Sequence, residues 1–136
     1  IKKKASFLER LIESLGLKNQ IEVINKRAEE IAKDNNESFA IITMRAVGEL
    51  PAIIELAAPL LMMGGILLAY KGRPESSELE RGKRVAEQLG MRPESIDRMT
   101  LSDGETQRTL VTYKKIEQSK VTLPRRPGMA RKKPLY

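Results

Sequence analysis

Residues 39–72 read FAIITMRAVGELPAIIELAAPLLMMGGILLAYKG, and this stretch decides the fold. It begins with a near-continuous apolar run, Phe39 to Met44, which is typical of a strand buried on both faces in a parallel sheet. A helix is predicted from about Pro51 to Met62, with a kink at Pro59. Behind two glycines, ILLAY at 66–70 predicts a second buried strand. Strand, helix and strand in this order indicate a parallel βαβ unit.

The flanking segments extend this alternation of helices and strands. Upstream, the pattern predicts an amphipathic helix over 3–16, a short β-branched strand over 21–24 and a short helix that opens at Arg27. Downstream, it predicts a helix over 76–89 and two antiparallel strands over 96–101 and 108–114. The predicted fold is therefore an α/β sheet that ends in an antiparallel hairpin. The adjacent Met62 and Met63 are expected to fill the core.

Charged residues are unevenly distributed along the 136-residue chain, which has a net charge of +7. From Ser119 to Tyr136 there are six cations and no acids, whereas the rest of the chain holds 19 cations and 18 acids. The excess positive charge therefore belongs to the C-terminal tail, and clustered positive charge favours a polyanionic partner. Because no apolar face accompanies this charge, nucleic acid is favoured over a membrane surface.

The composition also excludes several kinds of chemistry. The sequence contains no cysteine and no histidine, which rules out disulfides, cysteine-based zinc sites and mechanisms that use a thiolate or an imidazole. The acids show no metal-ligand spacing, so we expect no metal. The longest uncharged run near the middle of the chain, residues 56–70, has 15 residues. A membrane-spanning helix needs about 20, and we therefore expect no membrane interaction.

Ligands of open α/β sheets bind beyond the carboxyl ends of the parallel strands. Three segments of this sequence hold such positions, namely 27–29, 45–47 and 71–73. Arg45 follows an entirely apolar strand, and a cation there either emerges at the sheet edge or is paired, because burying it alone is costly. The sequence leaves two alternatives open, a ligand-facing Arg45 or an ion pair with Glu49 or Glu55.

The other two strand ends also have two interpretations each. Glu29 is placed to accept hydrogen bonds from an adenosine or a ribose, but acids are common in the first turn of a helix, where they favour its dipole. Lys71 and Arg73 are candidates for contact with an anionic substrate, and the alternative is a charged, solvated turn. The tail sequence LPRRPGMARKKPL at 123–135 is either a disordered solubilising end or a contact surface.

Several short motifs occur in an order that resembles one bacterial family. The matching stretches are KxxFL at 4–8, LGLKN at 15–19, RAEE at 27–30, RAVxxLP at 45–51, PLLxxGGxLLAYKG at 59–72, ETQRTLV at 105–111 and PRRPGMARKKPL at 124–135. Each motif is weak alone, and together they are specific. The family that they resemble is the guanine-N7 methyltransferase of small-subunit ribosomal RNA, also called glucose-inhibited division protein B.

The resemblance implies a Rossmann-like class I methyltransferase fold that binds S-adenosyl-L-methionine. Residues 1–118 are expected to form a partial methyltransferase domain with the C-terminal part of the sheet, and residues 119–136 a basic tail. Carried over by motif, Ala28 and Glu29 contact the adenosine part of the cofactor, and Arg45 lies at the cofactor site. The implied reaction is methyl transfer to N7 of a guanine in 16S ribosomal RNA or the small ribosomal subunit. A cytoplasmic protein is implied, and a monomer is favoured.

Ribosomal RNA is expected to bind cations at one strand end and in the tail. These cations are Lys71, Arg73, Arg125, Arg126, Arg131, Lys132 and Lys133. The tail is expected to lie along the domain near the mouth of the active site. The sequence identifies no catalytic acid or base, and we expect none to be obligatory, since guanine N7 has a free lone pair and no proton, and methyl transfer to it depends on positioning.

The sequence departs from the family pattern at its start. It contains no counterpart of the first two strands or of the glycine-rich cofactor loop, and no GxGxxG motif. We therefore expect Ile1 to begin the C-terminal piece of a longer protein, and this piece to fold poorly and not to bind the cofactor alone. Two rival functions stay open. One is a class I methyltransferase with another substrate, and the other is a non-enzymatic RNA-binding module.

Overall fold

The computed structural model describes residues 2–136, so that Ile1 lies outside the described residues. Its helices are α1 (Lys2–Ser14), α2 (Ala28–Asp34), α3 (Leu50–Ala57), α4 (Ser76–Gln88) and α5 (Met129–Lys132). Its strands are β1 (Phe39–Arg45), β2 (Leu61–Lys71), β3 (Met91–Thr100) and β4 (Gln107–Lys115). Within this part of the chain, no helix is long and apolar enough to cross a bilayer.

The strands form one sheet in the order β1-β2-β4-β3. β1 and β2 are parallel, with Arg45 opposite Tyr70, while β4 runs antiparallel to both β2 and β3. This arrangement confirms the predicted βαβ unit, the terminal hairpin and the α/β class. β3 and β4 are longer than the sequence pattern indicated, since β3 already begins at Met91.

Helix α3 is shorter than predicted. It ends at Ala57 rather than at Met62, and the predicted kink at Pro59 is wrong because the helix stops before that residue. Proline has no N–H to donate and disfavours helical geometry in the residue before it. Met62 and Met63 belong to β2 and are 39% and 48% exposed, so the prediction that they fill the core is also wrong.

Two predictions about strands fail because pairing is decided by distant segments. Residues 21–24 are not a strand, since none of the described strands lies beside them and an unpaired strand leaves its backbone groups without partners. β1 is a strand, but it is not buried on both faces. It lies at the edge of the sheet with one strand neighbour, and its Ile41 is 62% exposed.

The core lies between one face of the sheet and helices α3 and α4. Its largest fully buried side chains include Leu50, Ile53, Ile54, Leu67, Val85, Leu89, Val111 and Tyr113. Burial, with a smaller effect of the Glu78 charge, raises the pKa of the Tyr113 hydroxyl to about 12. This packed layer fixes the carboxyl ends of β1 and β2 relative to one another.

A buried lysine joins the opposite end of the sheet to the segment that precedes β1. Lys115 is 2% exposed, and its Nζ donates hydrogen bonds to the carbonyls of Ala58 and Leu61, each at 2.9 Å. Its third bond, of 2.8 Å, goes to Glu37 Oε1. Because all three donors of the ammonium are used, the buried charge is fully satisfied.

Candidate functional site

The carboxyl ends of β1 and β2 border an open cavity of about 780 Å³. Its lining residues are Thr43, Met44, Arg45, Ala46, Gly48, Tyr70, Lys71, Gly72, Met99, Leu101 and Arg108. Three of these are cations and none is an acid, while the two methionines, the leucine and the tyrosine supply apolar surface. An apolar cavity with a few convergent polar groups at this edge of an α/β sheet is a typical binding site.

Arg45 is the last residue of β1 and reaches this cavity with an exposed side chain. Ala46 follows it with a φ of +57°, a left-handed conformation that turns the chain sharply away from the strand. The predicted alternative of an ion pair is wrong. Glu49 pairs with Arg81 at 3.0 Å, Glu55 pairs with an arginine of the tail, and none of the described residues pairs with the Arg45 guanidinium.

Lys71 has a structural task at the same cavity. Its Nζ lies 2.7 Å from Glu78 Oε1 and donates to the Gly48 carbonyl at 2.8 Å. The same Glu78 oxygen accepts a hydrogen bond of 2.9 Å from the backbone N–H of Leu50, the first residue of α3. The solvated-turn alternative is therefore wrong for Lys71, because this residue ties the loop after Arg45 to α4. Its contact with RNA stays a prediction.

The neighbouring Arg73 differs from Lys71. Its side chain is exposed and forms none of the ion pairs or hydrogen bonds found among the described residues. Arg73 does not line the cavity, although it lies two residues beyond Lys71. It is therefore free to contact a polyanion, and that role also stays a prediction.

Arg108 and Tyr70 belong to the cavity and were missed from the sequence. Arg108 is half-buried near the start of β4, opposite Met99 of β3, and Tyr70 is 45% exposed at the end of β2. The sequence predicted the hairpin of β3 and β4 but not the pairing of β4 with β2. That antiparallel pairing places the first residues of β4, and with them Arg108, beside the carboxyl end of β2.

Ala28 and Glu29 open α2 and do not line the cavity. The helix start is fixed by the Arg27 backbone N–H, which donates to Glu30 Oε2 at 3.0 Å. Glu29 Oε1 accepts the backbone N–H of Gly128 in the tail at 2.7 Å. No hydrogen bond or ion pair among residues 2–136 joins Glu29 to Arg45, and their shared contact with a cofactor stays a prediction.

The tail is folded against the body of the protein. Arg125 Nε donates to Glu55 Oε1 at 2.7 Å, and its Nη2 donates to the second carboxylate oxygen and to the Lys133 carbonyl. The hydrogen bond to Glu55, which is 4% exposed, raises the pKa of the Arg125 guanidinium. The alternative of a disordered end is therefore wrong, and so is any picture of Arg125 as a freely solvated cation.

The remaining predicted cations of the tail are exposed. We call this group the outer cations: Arg126, Arg131, Lys132 and Lys133. None of the ion pairs in the described part of the chain includes them. Their contact with RNA stays a prediction, as does the position of the tail near an active-site mouth, since no tail residue lines the cavity.

Comparison with protein families gives a match over residues 1–111 to the family described as rRNA small subunit methyltransferase G. A protein of that name from Carboxydothermus hydrogenoformans is 38% identical over 99% of this chain and 58% of its own length. The protein of that name from Lactobacillus acidophilus is 35% identical over 98% of this chain and 56% of its own length. The chain thus spans a little over half the length of these relatives.

Two solved structures share the fold at low sequence identity. One is a 1,6-didemethyltoxoflavin-N1-methyltransferase of Burkholderia thailandensis, with a TM-score of 0.60 and 11% identity over 81% of this chain and 56% of that one. The other is an S-adenosylmethionine-dependent O-methyltransferase of Thermotoga maritima, with a TM-score of 0.56 and 14% identity over 86% and 48%. They confirm the Rossmann-like class I methyltransferase fold.

Proposed function

Because this chain belongs to the rRNA small subunit methyltransferase G (GidB) family, we propose that it takes part in methylation of small-subunit ribosomal RNA. The methyl donor is S-adenosyl-L-methionine, and the acceptor is N7 of a guanine in 16S ribosomal RNA. Residues 1–118 act as part of a methyltransferase domain and residues 119–136 as its basic tail. The protein works as a monomer in the cytoplasm, where ribosomal subunits assemble.

The observation that carries this proposal is the cavity at the strand ends. Arg45 and Arg108 line it, no acid does, and none of the described residues pairs with the Arg45 guanidinium. A guanidinium binds phosphate and carboxylate groups through its fork of N–H donors, so Arg108 suits a phosphate of RNA and Arg45 the carboxylate of the cofactor. The side chains of Tyr70 and Met99 suit a flat base. The cavity therefore combines the two surfaces that a nucleotide of RNA requires.

The described residues fit part of the cofactor. Arg45 offers N–H donors to the carboxylate of the cofactor. Glu29 binds the tail through Oε1, which leaves Oε2 to accept hydrogen bonds from the ribose hydroxyls. The sequence does not supply the glycine-rich loop that the family resemblance leads us to expect. Residues 28, 29 and 45 would thus hold one side of the cofactor, and the fit of this chain alone is incomplete.

The chain's own residues supply positioning rather than acid–base chemistry. When bound, S-adenosyl-L-methionine supplies an electrophilic methyl group, which the lone pair of guanine N7 accepts without any proton transfer. A chain without histidine or cysteine is compatible with this reaction. The work left to the protein is to hold the base and the cofactor in line, and Lys71 contributes by fixing the loop that follows Arg45.

A second candidate is a non-enzymatic RNA-binding module. The observation in its favour is the set of exposed cations outside the cavity, Arg73 and the outer cations, whose contact with RNA requires no cofactor. Under this alternative the cations bind RNA and no methyl group is transferred. Methylation assays separate the two functions, because RNA binding alone is common to both.

The test uses a chimaera in which the N-terminal part of the Carboxydothermus relative precedes this chain, and compares it with the chain alone. Each protein is incubated with 16S ribosomal RNA and S-adenosyl-L-methionine, and methylated guanines are mapped by primer extension after cleavage at N7-methylguanine. We expect the chimaera to modify one guanine, and Arg45→Ala to reduce the rate by about 100-fold or more, the size of effect seen when a positioning contact is lost.

The matched control is Arg98→Ala, which removes an exposed cation of β3 that does not line the cavity. We expect this variant to keep most of the activity. A folded chimaera that binds the cofactor but leaves 16S ribosomal RNA unmodified would contradict the proposed substrate. Modification of a different RNA would identify the rival methyltransferase function.

A further inference from the structure

The tail contains two kinds of cation, which the sequence does not distinguish. Arg125 is turned inward onto Glu55, whereas the outer cations are exposed. We infer that Arg125 is a positioning residue, which holds the basic tail in one orientation so that the outer cations meet the phosphates of ribosomal RNA. This inference rests on the proposed function only in taking ribosomal RNA as the partner.

The first anchor of the tail is the Arg125–Glu55 pair. Glu55 lies within α3 and is 4% exposed, and both of its oxygens accept from the guanidinium. A bidentate pair of this kind fixes the direction of the arginine as well as its position. Detaching the tail would break both charge-assisted hydrogen bonds to a carboxylate that is buried while the tail is in place. The anchor therefore holds the tail in place while RNA is bound or released.

A second anchor lies three residues further along the tail. Gly128 has a φ of +85°, and its N–H donates to Glu29 Oε1 at 2.7 Å. This glycine is the N-cap of α5, whose Ala130 is 3% exposed. Leu123 and Leu135 pack against the core on either side of α5. Two polar anchors and three apolar contacts thus define one orientation of residues 123–135.

The outer cations gain from this fixed orientation. The tail contains no acid that would neutralise them, and none of the ion pairs in the described part of the chain involves them. A flexible basic tail loses conformational freedom when it binds RNA, whereas an anchored one has lost it already. Phosphate contacts made by lysine and arginine release counterions, so binding by this surface weakens steeply with salt.

The substitution Glu55→Gln separates this account from simple charge attraction. It removes a negative charge and keeps every cation, so attraction alone predicts tighter binding of RNA. The positioning account predicts weaker binding, because a neutral amide offers one acceptor oxygen where the carboxylate offers two. The two accounts therefore differ in the sign of the effect. Arg125→Ala would not separate the two accounts, because it removes a cation together with the anchor, and both accounts then predict weaker binding.

The experiment measures filter binding of the whole chain to 16S ribosomal RNA, with circular dichroism to verify folding. The matched control is Glu80→Gln, which removes an exposed acid of α4 that forms none of the hydrogen bonds or ion pairs found in the described part of the chain. We expect Glu55→Gln to weaken binding about 10-fold, as for the loss of preorganisation. We expect Glu80→Gln to bind as well as the wild type or slightly better.

A second variant keeps the test decisive if Glu55→Gln does not fold. Glu29→Ala removes the bond to Gly128 together with one negative charge. Charge attraction alone predicts tighter RNA binding by this variant, and the loss of the second anchor predicts weaker binding, which we expect. Replacing the four outer cations by alanine should lower the slope of log affinity against log salt by about 3.

The outcomes distinguish the inference from the proposed function. Folded Glu55→Gln and Glu29→Ala variants that bind RNA as tightly as the wild type, or more tightly, would overturn the inference and leave the proposed function intact. An unchanged salt slope after removal of the outer cations would overturn their assignment to RNA. Failure of the wild-type chain to bind 16S ribosomal RNA would contradict the proposed function itself.

Discussion

Helices α1 and α3 both carry apolar side chains but have opposite surroundings. In α3, Leu50, Ile53 and Ile54 are completely buried, because the helix packs against β2, α4 and α5. In α1, Phe7 is 59% exposed and Leu11 is 41% exposed, and Ala5 is its buried residue. An amphipathic pattern thus predicts a helix correctly, but burial depends on which other elements are present to cover it.

The two parallel strands repeat this contrast. β2 has a strand neighbour on each side, and its Leu67 is fully buried, whereas β1 has a neighbour on one side and exposes Ile41. An open strand edge with apolar side chains is a site at which another chain segment pairs readily. The contrast divides the protein into a packed half, formed by α3, β2, α4 and β4, and an uncovered half, formed by α1 and β1.

The largest expected effect separates these halves directly. Ile53→Ala leaves a cavity in the packed half and is expected to lower the free energy of unfolding by about 2–5 kcal/mol. Leu11→Ala in α1 is expected to change it by less than about 0.5 kcal/mol, because this side chain is partly solvated already. Urea denaturation measures both. Equal losses of unfolding free energy would show that α1 is covered in solution and would contradict the difference between the two helices.

A smaller effect is expected from adding one methyl group within the packed half. A Cβ at position 82 would lie 2.9 Å from the Tyr113 hydroxyl and 3.0 Å from Leu50 Cβ. Overpacking of this kind costs about 1–3 kcal/mol, and alanine recovers about 1 kcal/mol through its helix propensity. We expect Gly82→Ala to lose about 1 kcal/mol in thermal unfolding. Gly72→Ala is the control. A Cβ at position 72 would meet no atom of a non-adjacent described residue within 4 Å, so this substitution should leave thermal stability nearly unchanged.

The smallest effect concerns the pH dependence of the Lys115–Glu37 pair, which joins the end of β4 to the segment before β1. The hydrogen bond from Lys115 lowers the pKa of the Glu37 carboxyl from its usual 4.5. A carboxyl whose folded pKa is depressed contributes stability above its unfolded pKa and loses that contribution as the pH falls through its folded pKa. Wild-type stability should therefore decline below about pH 4.5 more steeply than that of Glu37→Gln.

Glu9→Gln is the control for this titration, because Glu9 is an exposed acid of α1. Stability measured by urea denaturation at several pH values should follow the wild-type curve in this control. If Glu37→Gln and the wild type have parallel curves between pH 7 and about pH 3, the Lys115–Glu37 bond does not contribute to folding.

The elements predicted correctly from the sequence are those with a strong local pattern. Helices α1 and α4, the βαβ unit and the terminal hairpin follow from periodicity and from glycine or proline at their ends. Residues 21–24 have the composition of a strand and no strand beside them, so the prediction failed. Strand formation depends on a partner elsewhere in the chain, and a local pattern contains no information about that partner.

The candidate site was predictable to a similar extent. The position of Arg45 follows from the end of an apolar strand, and its placement at the cavity needs only the parallel order of β1 and β2. The inward turn of Arg125 could not be predicted, because its partner Glu55 is 70 residues earlier in the chain. Charge density in the tail indicated a polyanion, but it did not separate the anchoring cation from the exposed ones.

We propose that this chain binds ribosomal RNA through cations that its own fold leaves without ion-pair partners among the described residues. The most direct test is the affinity of the wild-type chain for 16S ribosomal RNA across a series of salt concentrations. With the four outer cations, Arg73 and Arg108 available, we predict a loss of about 100-fold or more between about 50 and about 200 mM salt. An affinity that does not change with salt, or no binding at the lowest salt concentration, would contradict the claim.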